Sequence, residues 1–441
     1  MSRVFPRHTK NLPPIASRGD GCYIIDANGK QYFDGSGGAA VSCLGHSDEA
    51  VRVALRSQID QLAFAHTSFF TTEVAEQLAD LLIDHAPAGL ERVYFVSGGS
   101  EAVESALKLA RQYFLEKGET DRHRIIARRQ SYHGNTLGAL ATGGNVWRRE
   151  PFAPLMIETT HISPCYIYRG RHKGETDFDF GQRVANELEI ELLRVGPETV
   201  MAFVAEPVVG ATLGAVPPVE GYFKRIREIC DKYGILLILD EVMCGMGRTG
   251  TMFACEHDKI SPDIATIAKG LGAGYQPIGA MLCSAKIYQA IENGSGFFQH
   301  GHTYLAHPAA CAAAYAVVSA IIDRGLLDRV NHLGQALFQL LQTRFGQHAH
   351  IGDIRGRGLF IGLELVKDRD RKVPFDPSKA VNKALKRAAF DAGLICYTMG
   401  GTIDGRRGDH ILLAPPFIME NHHPDEIIDK LDMALNKVLP Q

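Results

Sequence analysis

Between residues 90 and 320 the chain repeats one rhythm: a short apolar or β-branched run, then glycines or polar residues, then a helical pattern. A chain written this way buries its runs as strands and covers them with helices on both faces, which is an α/β arrangement around a large, mainly parallel sheet. "RVYFVSGGS" (92–100) reads as a strand that ends in glycines, and "EAVESALKLARQYF" (101–114) follows it with Ala102, Ala106, Leu109 and Tyr113 on one helical face. "RIIARR" (124–129), "VMAFVAE" (200–206) and "GILLILDE" (234–241) are further strands, the last two apolar enough to be buried on both sides. The small-residue run 305–322 predicts a helix that packs closely on a neighbour.

After Arg324-Gly325 the pattern changes. A helix over 326–345, a strand over 358–366, a helix over 378–392 and the apolar run 409–419 read as a smaller α+β unit. The first fifty residues, with a hairpin turning at Asn28-Gly29, are expected to join it. The resulting division is 1–50 with the small domain, 51–325 as the large domain, and 326–441 as the C-terminal small domain. One helix is also expected between residues 240 and 269.

The formal charge is −3 from 47 basic and 50 acidic residues, which gives no electrostatic reason to expect a nucleic-acid or membrane partner. Nine cysteines lie scattered without a C-x-x-C pair, an odd count that argues for a reducing, cytoplasmic setting and against a disulfide frame or a zinc module. The charged N-terminus lacks a following apolar stretch, so a soluble protein without a targeting segment is expected.

Ligands of parallel sheets gather at the carboxyl ends of strands, and the polar oddities of this chain fall there. Gly98, Gly99 and Ser100 stand between a strand and a helix start, where backbone N–H groups, the helix dipole and a hydroxyl can hold a phosphate; an ordinary capped turn fits the same residues. Tyr132 and His133 in "SYHG" follow the next strand. Asp240 ends the run "ILLIL", where a carboxylate short of water needs a cation, either a protonated ring nitrogen or an arginine such as Arg248. Lys269, 29 positions later, sits among small and apolar residues before a string of glycines, as a desolvated nucleophile would. A single cofactor would engage all of them, pyridoxal 5'-phosphate, with its phosphate at Gly99 and Ser100, ring face on Tyr132, ring nitrogen on Asp240 and aldehyde on Lys269.

With these motifs in order, the sequence resembles the class III aminotransferases, the ω-aminotransferase branch of the fold type I pyridoxal phosphate enzymes. The resemblance runs from "DGSGGAAVSCLGH" through "SGGSEAVESALKLAR", "YHG", "LLILDEVMCGMGRTG", "PDIATIAKGLGAGYQPIGA" and "GHTYLAHPAACAAA" to "IRGRGLFIGLEL" and "LLAPPF". It implies that Lys269 is the Schiff-base lysine and proton shuttle, Asp240 the pyridinium partner, and Val242 the apolar contact opposite Tyr132. It places His133 beside the cofactor and sends Thr303 to the phosphate of a neighbouring subunit, hence a homodimer with sites at its interface. Members that use 2-oxoglutarate commonly carry a Gln, a Glu and an Arg where this chain has Met243, Ala211 and Leu412. Those departures resemble the amine:pyruvate type, with Arg406 or Arg407 as the loop cation for a carboxylate and Leu44, Phe69 and Phe70 as apolar pocket walls.

The expected activity is therefore ping-pong transamination between an amine or ω-amino acid and a 2-oxo acid, pyruvate preferred. The alternatives are a 2-oxoglutarate-dependent enzyme for a diamine-type amino acid, and an aminomutase, racemase or decarboxylase on the same fold. No metal is expected at "HGHTYLAH" or "NHHPDE", which read as a phosphate loop and a solvated turn. A nicotinamide dehydrogenase is excluded by the missing G-x-G-x-x-G after an early strand.

Overall fold

A computed structural model describes residues 3–10 and 12–440. Its centre is a seven-stranded sheet whose strands run in the spatial order Leu90–Val96, Gly279–Ser284, Ile264–Ile267, Leu236–Asp240, Val200–Ala205, Arg124–Arg128, Thr159–Ile162. Gly279–Ser284 is antiparallel to both its neighbours and the remaining pairings are parallel, so the sheet is mainly parallel. Successive side chains of a strand point to opposite faces, and the core is partitioned accordingly. Phe203, Ala205, Leu237, Leu239, Ala265 and Ile267 enter one apolar cluster with the helices Asp177–Val195, Tyr222–Tyr233 and Pro308–Asp323. Ala202, Val204, Leu236, Ile238 and Ile264 enter the other, against the helix Gly99–Glu116. This is the α/β arrangement around a large, mainly parallel sheet that the rhythm of residues 90–320 predicts.

Two four-stranded sheets complete the molecule. One pairs Ala16–Asp20, Tyr23–Asp26 and Gln31–Asp34 with Leu394–Ile395, and the other orders Ile351–Arg357, Phe360–Leu365, Asp409–Leu413 and Tyr397–Gly400. A single apolar cluster joins Phe33, Cys43 and Leu44 to the helix Leu326–Phe345 and to residues of the C-terminal sheet and helices. The run 409–419 is strand only as far as Leu413, because Pro415 and Pro416 have no N–H to continue the ladder.

The stretch between Asp240 and Lys269 departs from expectation, for it holds no α-helix. It is a series of turns with one 3-10 turn, Ala254–Asp258, before the strand Ile264–Ile267. Met246, Gly247 and Gly250 have φ of 52°, 86° and 91°, values that a right-handed helix excludes. Among the described residues no single helix is long and apolar enough to cross a membrane.

Candidate active site

The strand Leu90–Val96 delivers the chain to Gly98, which precedes the 18-residue helix Gly99–Glu116. Among the described residues no acceptor meets the N–H of Gly99 or Ser100. Gly99 has no room for a side chain, since a Cβ there would lie 2.8 Å from Val242 Cγ1. The bare backbone and the positive end of the helix dipole therefore face a cavity of about 460 Å³ at the carboxyl edge of the sheet. Ser100, Tyr132, His133, Asp240, Val242 and Lys269 line the same cavity. Ser100 Oγ donates to Asn135 Oδ1 (2.9 Å) and accepts from the N–H of Asn135 (3.0 Å), which fixes the hydroxyl at the helix start.

Asp240 is the last residue of a wholly buried strand. Its Oδ1 accepts from the N–H of Val242 (3.0 Å), and its Oδ2 accepts from His133 Nδ1 (2.7 Å). Burial pushes the His133 imidazole down, but Glu206 and Asp240 outweigh it and hold its pKa above the ordinary value. His133 Nε2 is buried without a hydrogen bond and lies 3.9 Å from Glu206 Oε2. Glu206 also accepts from the N–H of Tyr132 (2.9 Å) and pairs with Arg128 (3.2 Å). Glu206 lines the cavity as well and was absent from the sequence-derived set; its signal was the charged end of "VMAFVAE". Arg248 does not meet Asp240. Its Nη1 donates to the carbonyls of Leu359 and Pro415, and its guanidinium stacks on Phe417.

Lys269 follows the strand Ile264–Ile267 with φ of 47°, a left-handed conformation that a side chain adopts at a cost. Burial lowers its pKa to about 8, partly opposed by the Asp240 carboxylate. No hydrogen bond or ion pair engages Nζ among the described residues. A buried carboxylate hydrogen-bonded to a histidine, an amine whose pKa burial lowers to about 8 and the free N–H groups of a helix start thus meet in one cavity, a donor set that fits pyridoxal phosphate.

The aminotransferase class-III family matches residues 4–435. The chain is a class III aminotransferase. It is 45% identical over 437 residues to an uncharacterized aminotransferase of Schizosaccharomyces pombe, covering 99% of this chain and 95% of that one. It is 36% identical over 438 residues to the chloroplastic gamma aminobutyrate transaminase 3 of Solanum lycopersicum, covering 97% and 82%. An (S)-enantioselective omega-transaminase from Thermomicrobium roseum superposes with a TM-score of 0.93 at 35% identity, over 100% of this chain and 97% of the other. Class III aminotransferases are pyridoxal phosphate enzymes acting on small molecules.

Other expected residues of this aminotransferase lie away from the cavity. Leu44 is fully buried in the apolar cluster with Phe33, where it packs rather than lines a pocket. Phe69 and Phe70 are exposed at 78% and 68%. Thr303 lines a second cavity of about 850 Å³ with His66 and Phe298. Arg406 and Arg407 are exposed and paired, Arg406 with Glu150 (3.0 Å) and Arg407 with Asp404 (2.7 Å). Ala211 and Met243 do line the site, and Leu412 is buried in the strand Asp409–Leu413. In "NHHPDE", His422, His423 and Glu426 come within 4.8 Å of one another, but the Glu426 carboxylate is already taken by Tyr23 Oη and Lys430 Nζ.

Proposed function

We propose that this aminotransferase moves an amino group from an amine or ω-amino acid to a 2-oxo acid, pyruvate preferred, by ping-pong kinetics. The observation that carries the reading is the convergence of Lys269, the Asp240–His133 pair and the open helix start on one cavity. Bound there, pyridoxal phosphate supplies an aldehyde for the donor nitrogen and a conjugated ring that accepts the electron pair left when the donor carbon loses its proton. The N–H groups of Gly99 and Ser100 would hold the phosphate, Tyr132 and Val242 would bound the ring, and the Asp240 carboxylate would keep a proton on the ring nitrogen. Lys269 Nζ would take the proton from the donor carbon and deliver it to the carbon that carried the aldehyde; a pKa of about 8 suits an amine that must both accept and give up a proton near neutral pH.

The acceptor is assigned by what the pocket wall lacks. Ala211 and Leu412 put no carboxylate–arginine pair at the two positions where 2-oxoglutarate-using relatives of the resemblance carry one, so no fixed clamp for a second carboxylate stands there. A homodimer, with Thr303 reaching a partner's phosphate site, and a reducing cytoplasmic setting for nine buried free cysteines belong to the same reading.

The test is the half-reaction. Holoenzyme mixed with 1-phenylethylamine or 4-aminobutanoate alone should convert its cofactor stoichiometrically to the amino form, and pyruvate should restore it faster than 2-oxoglutarate. Conversion by no amine overturns the reading, and restoration by 2-oxoglutarate alone favours the diamine-type alternative.

A further inference from the structure

This inference rests on the transaminase reading above and concerns how the same site holds a carboxylate. Both loop arginines have ion-pair partners at the surface, and a different cation lies over a residue of the cavity wall. Arg148 belongs to the one-turn helix Val146–Arg149, whose cap, Asn145, accepts from the N–H of Arg148 (3.3 Å). Asn145 in turn donates to Gln130 Oε1 (3.0 Å), and Gln130 Nε2 donates to the carbonyls of Gly401 (2.6 Å) and Thr402 (3.0 Å). These bonds tie the turn to the chain that leads into Tyr132. The guanidinium of Arg148 lies over the Tyr132 ring, 4.6 Å from its centroid, and Tyr132 lines the active-site cavity.

Arg148 has no acidic partner among the described residues, and its Nε is buried without a hydrogen bond. The neighbouring Arg149 contacts His161 instead. The charge of Arg148 reaches the site, since it contributes to lowering the pKa of Lys269 and acts on the Tyr132 hydroxyl together with Arg7. A half-buried cation without an acidic partner, one of whose donors is buried and unmet, is completed by a ligand that supplies an acceptor. The arginine fork suits one ligand chemistry best, a carboxylate bound through two N–H groups.

We propose that Arg148 is the carboxylate anchor of this transaminase, gripping the 2-oxo acid and the acid end of an ω-amino acid above Tyr132. An uncharged amine tail then leaves Arg148 resting on the aromatic ring, whose face stabilises a cation without a counter-ion. No large loop movement is needed to exchange the two kinds of substrate.

The experiment uses wild-type, Arg148→Gln and Arg148→Lys holoenzymes. Binding of propionate, an unreactive carboxylate, is measured by calorimetry, and KM is measured for pyruvate and for 1-phenylethylamine. Arg148→Gln should weaken propionate binding and raise the pyruvate KM by about tenfold or more, with amine KM and cofactor retention within about twofold of wild type. Arg148→Lys, which keeps the charge and loses the fork, should fall between. Propionate affinity and pyruvate KM unchanged in both variants would overturn the proposal. So would losses shared equally by amine and pyruvate, or weakened cofactor retention alone, which would make Arg148 a support for Tyr132. If wild type converts no amine, the transaminase reading fails, and propionate binding still decides whether Arg148 grips carboxylates.

Discussion

Asp240 and Lys269, to which the proposed function assigns the chemistry, line one cavity as a hydrogen-bonded carboxylate and a desolvated amine. Burial penalises the ammonium of Lys269 and lowers its pKa to about 8, while Asp240 accepts from a histidine whose own charge two carboxylates favour. Asp240→Asn should leave a folded protein that binds cofactor but transaminates more than about 10²-fold more slowly, because a neutral amide cannot keep the ring nitrogen protonated. Steady-state kinetics on cofactor-saturated variant checks this, and near-normal turnover would contradict it. These two residues were legible in the sequence because each violates its local setting, a carboxylate ending "ILLIL" and a lysine in an apolar run. Glu206 carries the same kind of mark at the end of "VMAFVAE", but its contacts with Tyr132 and Arg128 are visible only in the fold. Arg148 has no local mark and gains meaning only when the fold lays it on an aromatic ring.

At the scale of elements, legibility followed how locally each end is specified. The helix 326–345 lies where the sequence put it because Gly325 and Gly346 flank it. The expected helix between 240 and 269 failed because that segment is organised by tertiary bonds, above all those of Glu241. This buried carboxylate accepts from the N–H groups of Ala254 and Cys255, both at 2.8 Å, and so folds the turns behind the Asp240 strand. Glu241→Gln keeps one acceptor oxygen and leaves one buried N–H unmet, which should cost about 1–3 kcal/mol of stability. Burial raises the Glu241 pKa from 4.5 to about 7. Between those pH values the folded state holds a proton that the unfolded chain has released, so the group's contribution declines as pH rises through that window. Thermal melts should show a larger gap between wild type and variant at about pH 5 than at about pH 8. An equal gap at both would mean the carboxyl does not titrate in that window.

For the whole molecule, the sheet rhythm of residues 90–320 announced the α/β core, whereas the spatial order of strands and the antiparallel Gly279–Ser284 could be known only from long-range pairing. The surface carries its own prediction. Phe69, Phe70, Phe297 and Tyr304 are exposed near the cavity that holds Thr303, an apolar rim of the kind that a second copy covers. Light scattering should return twice the 48.3 kDa of the chain. In mixed dimers of Thr303→Ala and Lys269→Ala subunits, the site with the intact lysine should keep wild-type cofactor affinity, because its own threonine serves the other site. Weakened affinity there would refute action across the interface. The central claim, that Lys269 carries the cofactor, has the most direct test: borohydride reduction of the holoenzyme followed by peptide mapping. The account predicts the cofactor's mass on the peptide containing Lys269 and none in Lys269→Ala, and a label on any other lysine would contradict it.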